Sequence, residues 1–171
     1  LQKMLTQVTE DTFNRITVDG DESTNDTVIL ASTNRLAPNK AIKTLNDPQL
    51  RNFKKELKYV FQYLAELIVR DGEGASKLIT IIIKNARSEL QAKTIAKSIG
   101  NSQLFKTAIY GEDPNWGRII MAISKTYEAI DAKKLKILFG NYKATHNGAE
   151  NKNVKNLKIK NYLKRKEIKI T

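Results

Sequence analysis

Three stretches of this sequence gather residue types able to do chemistry. In Arg70-Asp71-Gly72-Glu73-Gly74-Ala75-Ser76-Lys77 a carboxylate, Glu73, stands between two glycines. Glycine permits tight or unusual backbone angles, and a carboxylate presented from a loop before a strand can meet a ligand amine. The same string also reads as a plain exposed turn. In Gly111-Glu112-Asp113-Pro114-Asn115-Trp116-Gly117-Arg118, Pro114 fixes one angle, Gly117 permits close approach and Arg118 falls in the first turn of a helix. Free N–H groups and a guanidinium at a helix start suit a carboxylate. The competing reading is a rigid connection anchored by a buried Trp116. The third stretch, residues 19–26, alternates Asp19, Asp21, Ser23 and Asn25 like the start of a calcium loop. That match fails, because Thr24 stands where the sharp turn needs glycine and Leu30 where the bidentate glutamate belongs. A hydrogen-bonded turn and a polar wall of a site remain.

Other chemistries find no residues. The sequence has no cysteine, which removes disulfides, thiolate catalysis and zinc ribbons. The single histidine, His146, lies in the polar run Thr145-His146-Asn147-Gly148 and is expected in an exposed loop. No GxSxG elbow, HExxH pair, Walker loop or GxGxxG is present. No metal site and no bound cofactor are expected.

The elements that must position these stretches follow from periodicity and punctuation. Leu1, Met4, Leu5, Val8 and Phe13 lie on one side at helical spacing, predicting a helix over residues 1–13. Val28, Ile29 and Leu30 predict a buried strand over 27–32. Asp47-Pro48 opens the strongest helix, since Asp47 can accept from the first free N–H groups and Pro48 suits the first position. Leu50, Phe53, Leu57, Val60, Phe61, Leu64, Leu67 and Ile68 continue it at i, i+3, i+4 spacing, with Gly72 as the stop. Residues 76–84, rich in Ile, predict a strand buried on both faces. A helix is expected over 88–99, ending at Gly100. Residues 101–110 read as helix giving way to loop, 111–115 as a turn, and 116–125 as a short helix with Asn115 as its cap. Strands are expected at 135–139 and 167–170. Alternating strands and helices imply an α/β (α+β) layered sandwich, helices packed on mixed β-sheets. The whole of 1–171 reads as a single globular segment, of which about 144–171 is a basic C-terminal part. The last strand ends with no turn or partner after it, and the first residue is Leu1, so a piece of a longer chain is expected.

Lys and Arg total 30 against 18 Asp and Glu, a net charge of +12 that favours anionic partners. Much of the excess lies in Lys152, Lys155, Lys158, Lys160, Lys164, Arg165, Lys166 and Lys169, outside the three stretches. Only Tyr162 interleaves an aromatic ring there, and no nucleic-acid motif accompanies it. A basic nucleic-acid-binding domain and a non-catalytic interaction domain are therefore kept as alternatives to an enzyme, and no nucleic acid is expected as partner. The longest apolar run, near residues 78–83, is far too short to span a membrane, and no signal peptide is seen.

Together, Phe13-Asn14-Arg15-Ile16-Thr17-Val18-Asp19-Gly20-Asp21-Glu22-Ser23-Thr24-Asn25-Asp26-Thr27, Asp71-Gly72-Glu73-Gly74-Ala75-Ser76-Lys77 and the stretch 111–118 resemble, in order and spacing, the β chain of the bifunctional ornithine acetyltransferase/glutamate N-acetyltransferases of arginine biosynthesis. The resemblance weakens after about Lys143, and Glu22 departs from the small or hydroxylated residue more usual there. It implies a cytoplasmic acyltransferase whose precursor cleaves itself before a threonine. That threonine takes acetyl from N-acetylornithine and passes it to glutamate. Some members of the family also use acetyl-CoA as a substrate. It also implies an α chain as partner and an α2β2 assembly. No residue here matches the nucleophilic threonine or the family's C-terminal segment, so no catalytic residue is assigned in this chain, and the chain alone is expected to be inactive. Glu73 matches the family's substrate-binding glutamate.

Overall fold

The structure is a computed structural model that describes residues 1–35 and 41–171. The chain divides into two compact units, one of residues 1–16 and 21–71, the other of residues 17–20 and 72–171.

In the first unit, helix α1 runs Gln2–Asp11 and a 3-10 turn Phe13–Arg15 follows it. Met4 and Val8, one turn apart, are the buried face of α1. They meet Leu57 and Phe61 of α2 (Arg51–Arg70), and Phe13 lies edge-on to Phe61 with ring centroids 5.5 Å apart. Asp47 accepts from the Gln49 amide as foreseen, but Pro48–Leu50 is a 3-10 turn, and α2 begins after it. The helix ends at Arg70 with Asp71 as its cap, φ −93°. Gly72 is not left-handed; the left-handed glycine is Gly74, two positions later.

The strand expected over 27–32 is not formed. These residues pair with no strand among the described residues, and Ile29 is 79% exposed. An isolated extended segment has no partner for its N–H and C=O groups and is not a sheet element. Val28 and Leu30 nevertheless pack on the α1–α2 cluster while Ile29 faces outward, the two-residue alternation of extended backbone.

The second unit carries a four-stranded mixed sheet. Its strands are β1 (Leu78–Ile81), β2 (Leu138–Phe139), β3 (Tyr142–Lys143) and β6 (Glu167–Ile170), in the order β1-β6-β2-β3. β6 lies parallel to β1, with Leu78 opposite Glu167 and Ile81 opposite Ile170, and antiparallel to β2, with Phe139 opposite Ile170. β1 is shorter than expected and, at the edge of the sheet, only partly covered: Thr80 is exposed while Leu78, Ile79 and Ile81 are half-buried. Helices α3 (Glu89–Gly100), α4 (Gln103–Tyr110) and α5 (Trp116–Ser124) pack with Ile168 and Ile170 in one core around Phe105, Ile109, Ile119 and Phe139. Burying each such side chain contributes roughly 1.5–3 kcal/mol.

Ser88 caps α3 by accepting from the Gln91 amide, while Gln91 Oε1 accepts from the Arg87 amide, a reciprocal arrangement close to a capping box. Gly100 falls inside α3 instead of after it, and Asn101 is the cap. Asn115 holds the N-cap position of α5 as expected, but its side chain makes no cap hydrogen bond and donates to Asp113 at 3.2 Å instead.

The basic C-terminal part is folded. A second hairpin joins β4 (Thr145–His146) to β5 (Ala149–Glu150) through Asn147 and Gly148, both left-handed at φ 53° and 75°, the pair a two-residue hairpin turn requires. His146 is exposed as expected, but in a hairpin strand beside that turn. Helix α6 (Asn156–Leu163) buries Ile159 and Leu163, spaced one turn apart between lysines. Arg165 stands 5.2 Å over the Tyr162 ring, and the Tyr162 hydroxyl accepts from the Lys169 amide of β6 at 2.8 Å. The overall class is the expected α/β arrangement, helices packed with mixed and antiparallel sheets.

Two measurements check this account. Thr145 is fully buried and its hydroxyl accepts from the Ile137 amide at 2.8 Å. Thr145→Val keeps the shape and strands that N–H, so urea denaturation is expected to show a loss of about 1–3 kcal/mol. The second concerns Asp11. The hydrogen bond from Lys58 at 3.0 Å lowers its carboxyl below the usual 3.8; partial burial opposes this, and the charges of Lys58 and Arg15 add to the lowering. A lowered folded value means the stabilisation is present above the unfolded carboxylate value and is lost as pH falls through the folded one. Asp11→Asn is expected to flatten the acid side of the stability-versus-pH curve, and to change stability near neutrality by no more than about 1 kcal/mol.

Candidate functional site

Residues 72–75 form a tight turn. The Ala75 amide donates to the Gly72 carbonyl at 2.9 Å, and Gly74 at the third position has φ 67°. This is the pattern of a type II turn, which needs a residue free to take positive φ at that position. Glu73 occupies the projecting corner of the turn and is exposed. Among the described residues no hydrogen bond or ion pair engages its carboxylate. The two glycines are thus unequal: Gly74 supplies the left-handed angle and Gly72 only the accepting carbonyl.

Behind the turn the chain is held firmly. Leu78 of β1 donates to Lys166 at 2.7 Å. The Lys77 ammonium, whose side chain is 13% exposed, donates to the carbonyl of Leu163 at the end of α6, and lies 3.8 Å from the carboxylate of Glu112. A carboxylate from the stretch 111–118 therefore meets a lysine from the stretch 71–77.

Glu112 caps α4 in an unusual way. The Asp113 amide reaches back to Ala108 at 2.8 Å and the Glu112 amide to Ile109 at 3.2 Å, so α4 closes in a left-handed cap with Glu112 at φ 56°. Further along, the Arg118 guanidinium donates through Nη1 to the Leu104 carbonyl at 2.7 Å and to the Thr107 hydroxyl at 2.8 Å. It is engaged in joining α5 to α4. Trp116 is half-buried against the main core. The geometry favours the rigid connection over a carboxylate-binding helix start.

The stretch 13–27 contributes residues 17–20 to this unit. The Thr17 hydroxyl donates to the side-chain carbonyl of Asn101, and Lys106 donates to the Val18 carbonyl at 2.6 Å. Helix α4 is the common support: Lys106 holds residues 17–20, Leu104 and Thr107 hold Arg118, and Glu112 just past its end meets Lys77. Residues 21–27 lie in the other unit, where Ser23 accepts from the Asn25 amide at 3.1 Å in a local turn. Sequence reasoning missed Asn101, Lys106 and the meeting of Lys77 with Glu112. The residue types were visible, but their partners are remote in sequence. Among the described residues no group of three or more His, Asp and Glu side chains could hold a metal, and no helix is long and apolar enough to cross a membrane.

The fold and the three stretches together belong to one protein family. The chain belongs to the ArgJ family, whose profile matches residues 1–171. It is 42% identical to the arginine biosynthesis bifunctional protein ArgJ of Bradyrhizobium diazoefficiens over 172 residues, covering 99% of this chain and 42% of that protein. It is 38% identical to the protein of the same name from Caulobacter vibrioides over 171 residues, covering 100% of this chain and 42% of the relative. The crystal structure of arginine biosynthesis bifunctional protein argJ from Bacillus halodurans superposes with a TM-score of 0.91 at 39% identity, over 99% of this chain and 78% of that one. The chain spans less than half the length of the curated relatives it matches.

Arg118→Met removes both bonds to α4 and leaves the Leu104 carbonyl and Thr107 hydroxyl without that donor. Charge-assisted bonds contribute about 1.5–3 kcal/mol each where water is excluded and less where it is not. Denaturation of the variant is expected to show a loss of about 1–3 kcal/mol, while the far-UV spectrum of the folded state stays the same.

Proposed function

We propose that this chain is most of the β portion of a cytoplasmic acyltransferase that moves acetyl from N-acetylornithine to glutamate. The observation that carries the reading is the family match over residues 1–171, with Glu73 free at the corner of its turn in the matching motif. In this reading a threonine outside these residues attacks the acetyl carbonyl of N-acetylornithine. The amide C–N bond breaks, an acetyl ester forms on the threonine, and ornithine leaves with the proton on its amine. The amine of glutamate then attacks the ester, the C–O bond breaks, and the threonine hydroxyl regains its proton. In such covalent catalysis the threonine's own α-amine serves as the base for its hydroxyl, and the scheme gives ping-pong kinetics. Acetyl-CoA is a second acetyl donor to test. The partner is the α portion of the same precursor, in an α2β2 assembly.

Within this scheme Glu73 binds the ammonium of the amino-acid substrate and is not a general base. Its exposure, and the lack of a partner among the described residues, leave the carboxylate available for a ligand. The test is steady-state kinetics of the full-length parent with N-acetylornithine varied. The wild type is expected to transfer acetyl to glutamate, with parallel double-reciprocal lines. Glu73→Gln removes the charge and keeps the shape. Loss of about 1.5–3 kcal/mol of ground-state binding raises KM about ten- to hundredfold with little change in kcat. A thousandfold fall in kcat at unchanged KM would place Glu73 in the chemical step. No effect on either would leave it an ordinary turn residue.

A further inference from the structure

Glu112 stands where no local rule favours it. The left-handed position after a helix is usually taken by glycine, because a side chain there is strained. A carboxylate at that end also faces the negative pole of the helix. Glu112 nevertheless occupies this position at the end of α4, with φ 56°. One remote group, the Lys77 ammonium 3.8 Å away, opposes these local costs. Lys77 in turn meets the end of α6 through the Leu163 carbonyl, where a cation is favoured by the helix dipole. A residue that breaks local rules without local compensation points to a role set by the tertiary structure.

Lys77 follows the Glu73 turn directly. Its backbone continues into β1, and the Ala75 amide that closes the turn is two residues before it. The exit of the turn is therefore fastened to two helix ends by one side chain.

We propose that Lys77 and Glu112 are positioning residues that hold the Glu73 turn in its ligand-binding geometry. The inference rests, for its functional consequence, on the reading of Glu73 as a substrate-binding carboxylate. Neither residue touches the reacting atoms. They restrict where the Glu73 carboxylate can be, so their loss lowers the fraction of molecules ready to bind and raises KM without changing the chemical step.

Glu112→Gly separates this role from general stability. It cuts the link to Lys77 and at the same time places the residue best suited to the left-handed cap. The first measurement is hydrogen exchange of the Ala75 amide in this chain. Exchange is expected to be at least about fivefold faster in Glu112→Gly and in Lys77→Met, and closer to wild type in Lys77→Arg, while Tm of Glu112→Gly stays the same or rises. The second is kinetics of the full-length parent, in which Glu112→Gly is expected to raise KM for N-acetylornithine about three- to tenfold with kcat within about twofold. Ala75 exchange within twofold of wild type in both variants overturns the tether, and an unchanged KM in a parent in which Glu73→Gln raises KM overturns its functional consequence. If the wild-type parent transfers no acetyl, the functional reading fails by itself, and the exchange comparison still decides whether Lys77 and Glu112 hold the turn.

Discussion

The pairing of β6 with β1 is the constraint on which the second unit depends. It brings Leu78 beside Glu167, near opposite ends of that unit's sequence. Parallel pairing of this kind must close a long loop before it is rewarded. Once closed, it puts Lys166 against Leu78 and the end of α6 against Lys77. The Glu73 turn enters β1, so its exit is located by the strand it feeds. β6 also takes β2 on its other side, and the Tyr162 hydroxyl meets the Lys169 amide there, where β2 is short. The strand's alternation of buried Ile168 and Ile170 with exposed Glu167 and Lys169 fixes which face meets the core.

Helix α4 has a second organising part. It is short and amphipathic, with Phe105, Ala108 and Ile109 buried and its polar groups shared among neighbours. Lys106 reaches residues 17–20, Thr107 reaches Arg118 and the cap residue Glu112 reaches Lys77. Residues 17–20 and the stretch 111–118 are thus held by a helix that belongs to neither, and Glu112 of the latter meets Lys77 of the stretch 71–77. Their order along the chain says nothing of this arrangement, and two of the three stretches owe their fixed geometry to it.

The charge excess took on a different meaning once the chain was folded. In the basic part after Lys143 the lysines outnumber the apolar side chains between them. Ile159 and Leu163 are enough to seat α6, and Arg165 spends its guanidinium on Tyr162. Asn147-Gly148 is a hairpin signal that the polar run around His146 masks. The lysines of this region decorate folded structure, and their number alone identifies no partner.

The sequence by itself determined what depends on neighbours a few residues away. The helices α1, α3, α5 and most of α2 follow from periodicity and capping residues such as Asp47 and Ser88. Glu73 was singled out by its flanking glycines, and the family by three motifs in order. Tertiary structure decided what depends on partners far along the chain. Residues 27–32 have strand-like apolar character, yet they form no strand, because a strand exists only through a partner's hydrogen bonds. Lys77 and Glu112 were each visible as charged loop residues. Only folding placed them 3.8 Å apart, because α4, β1 and α6 had first to pack on one core.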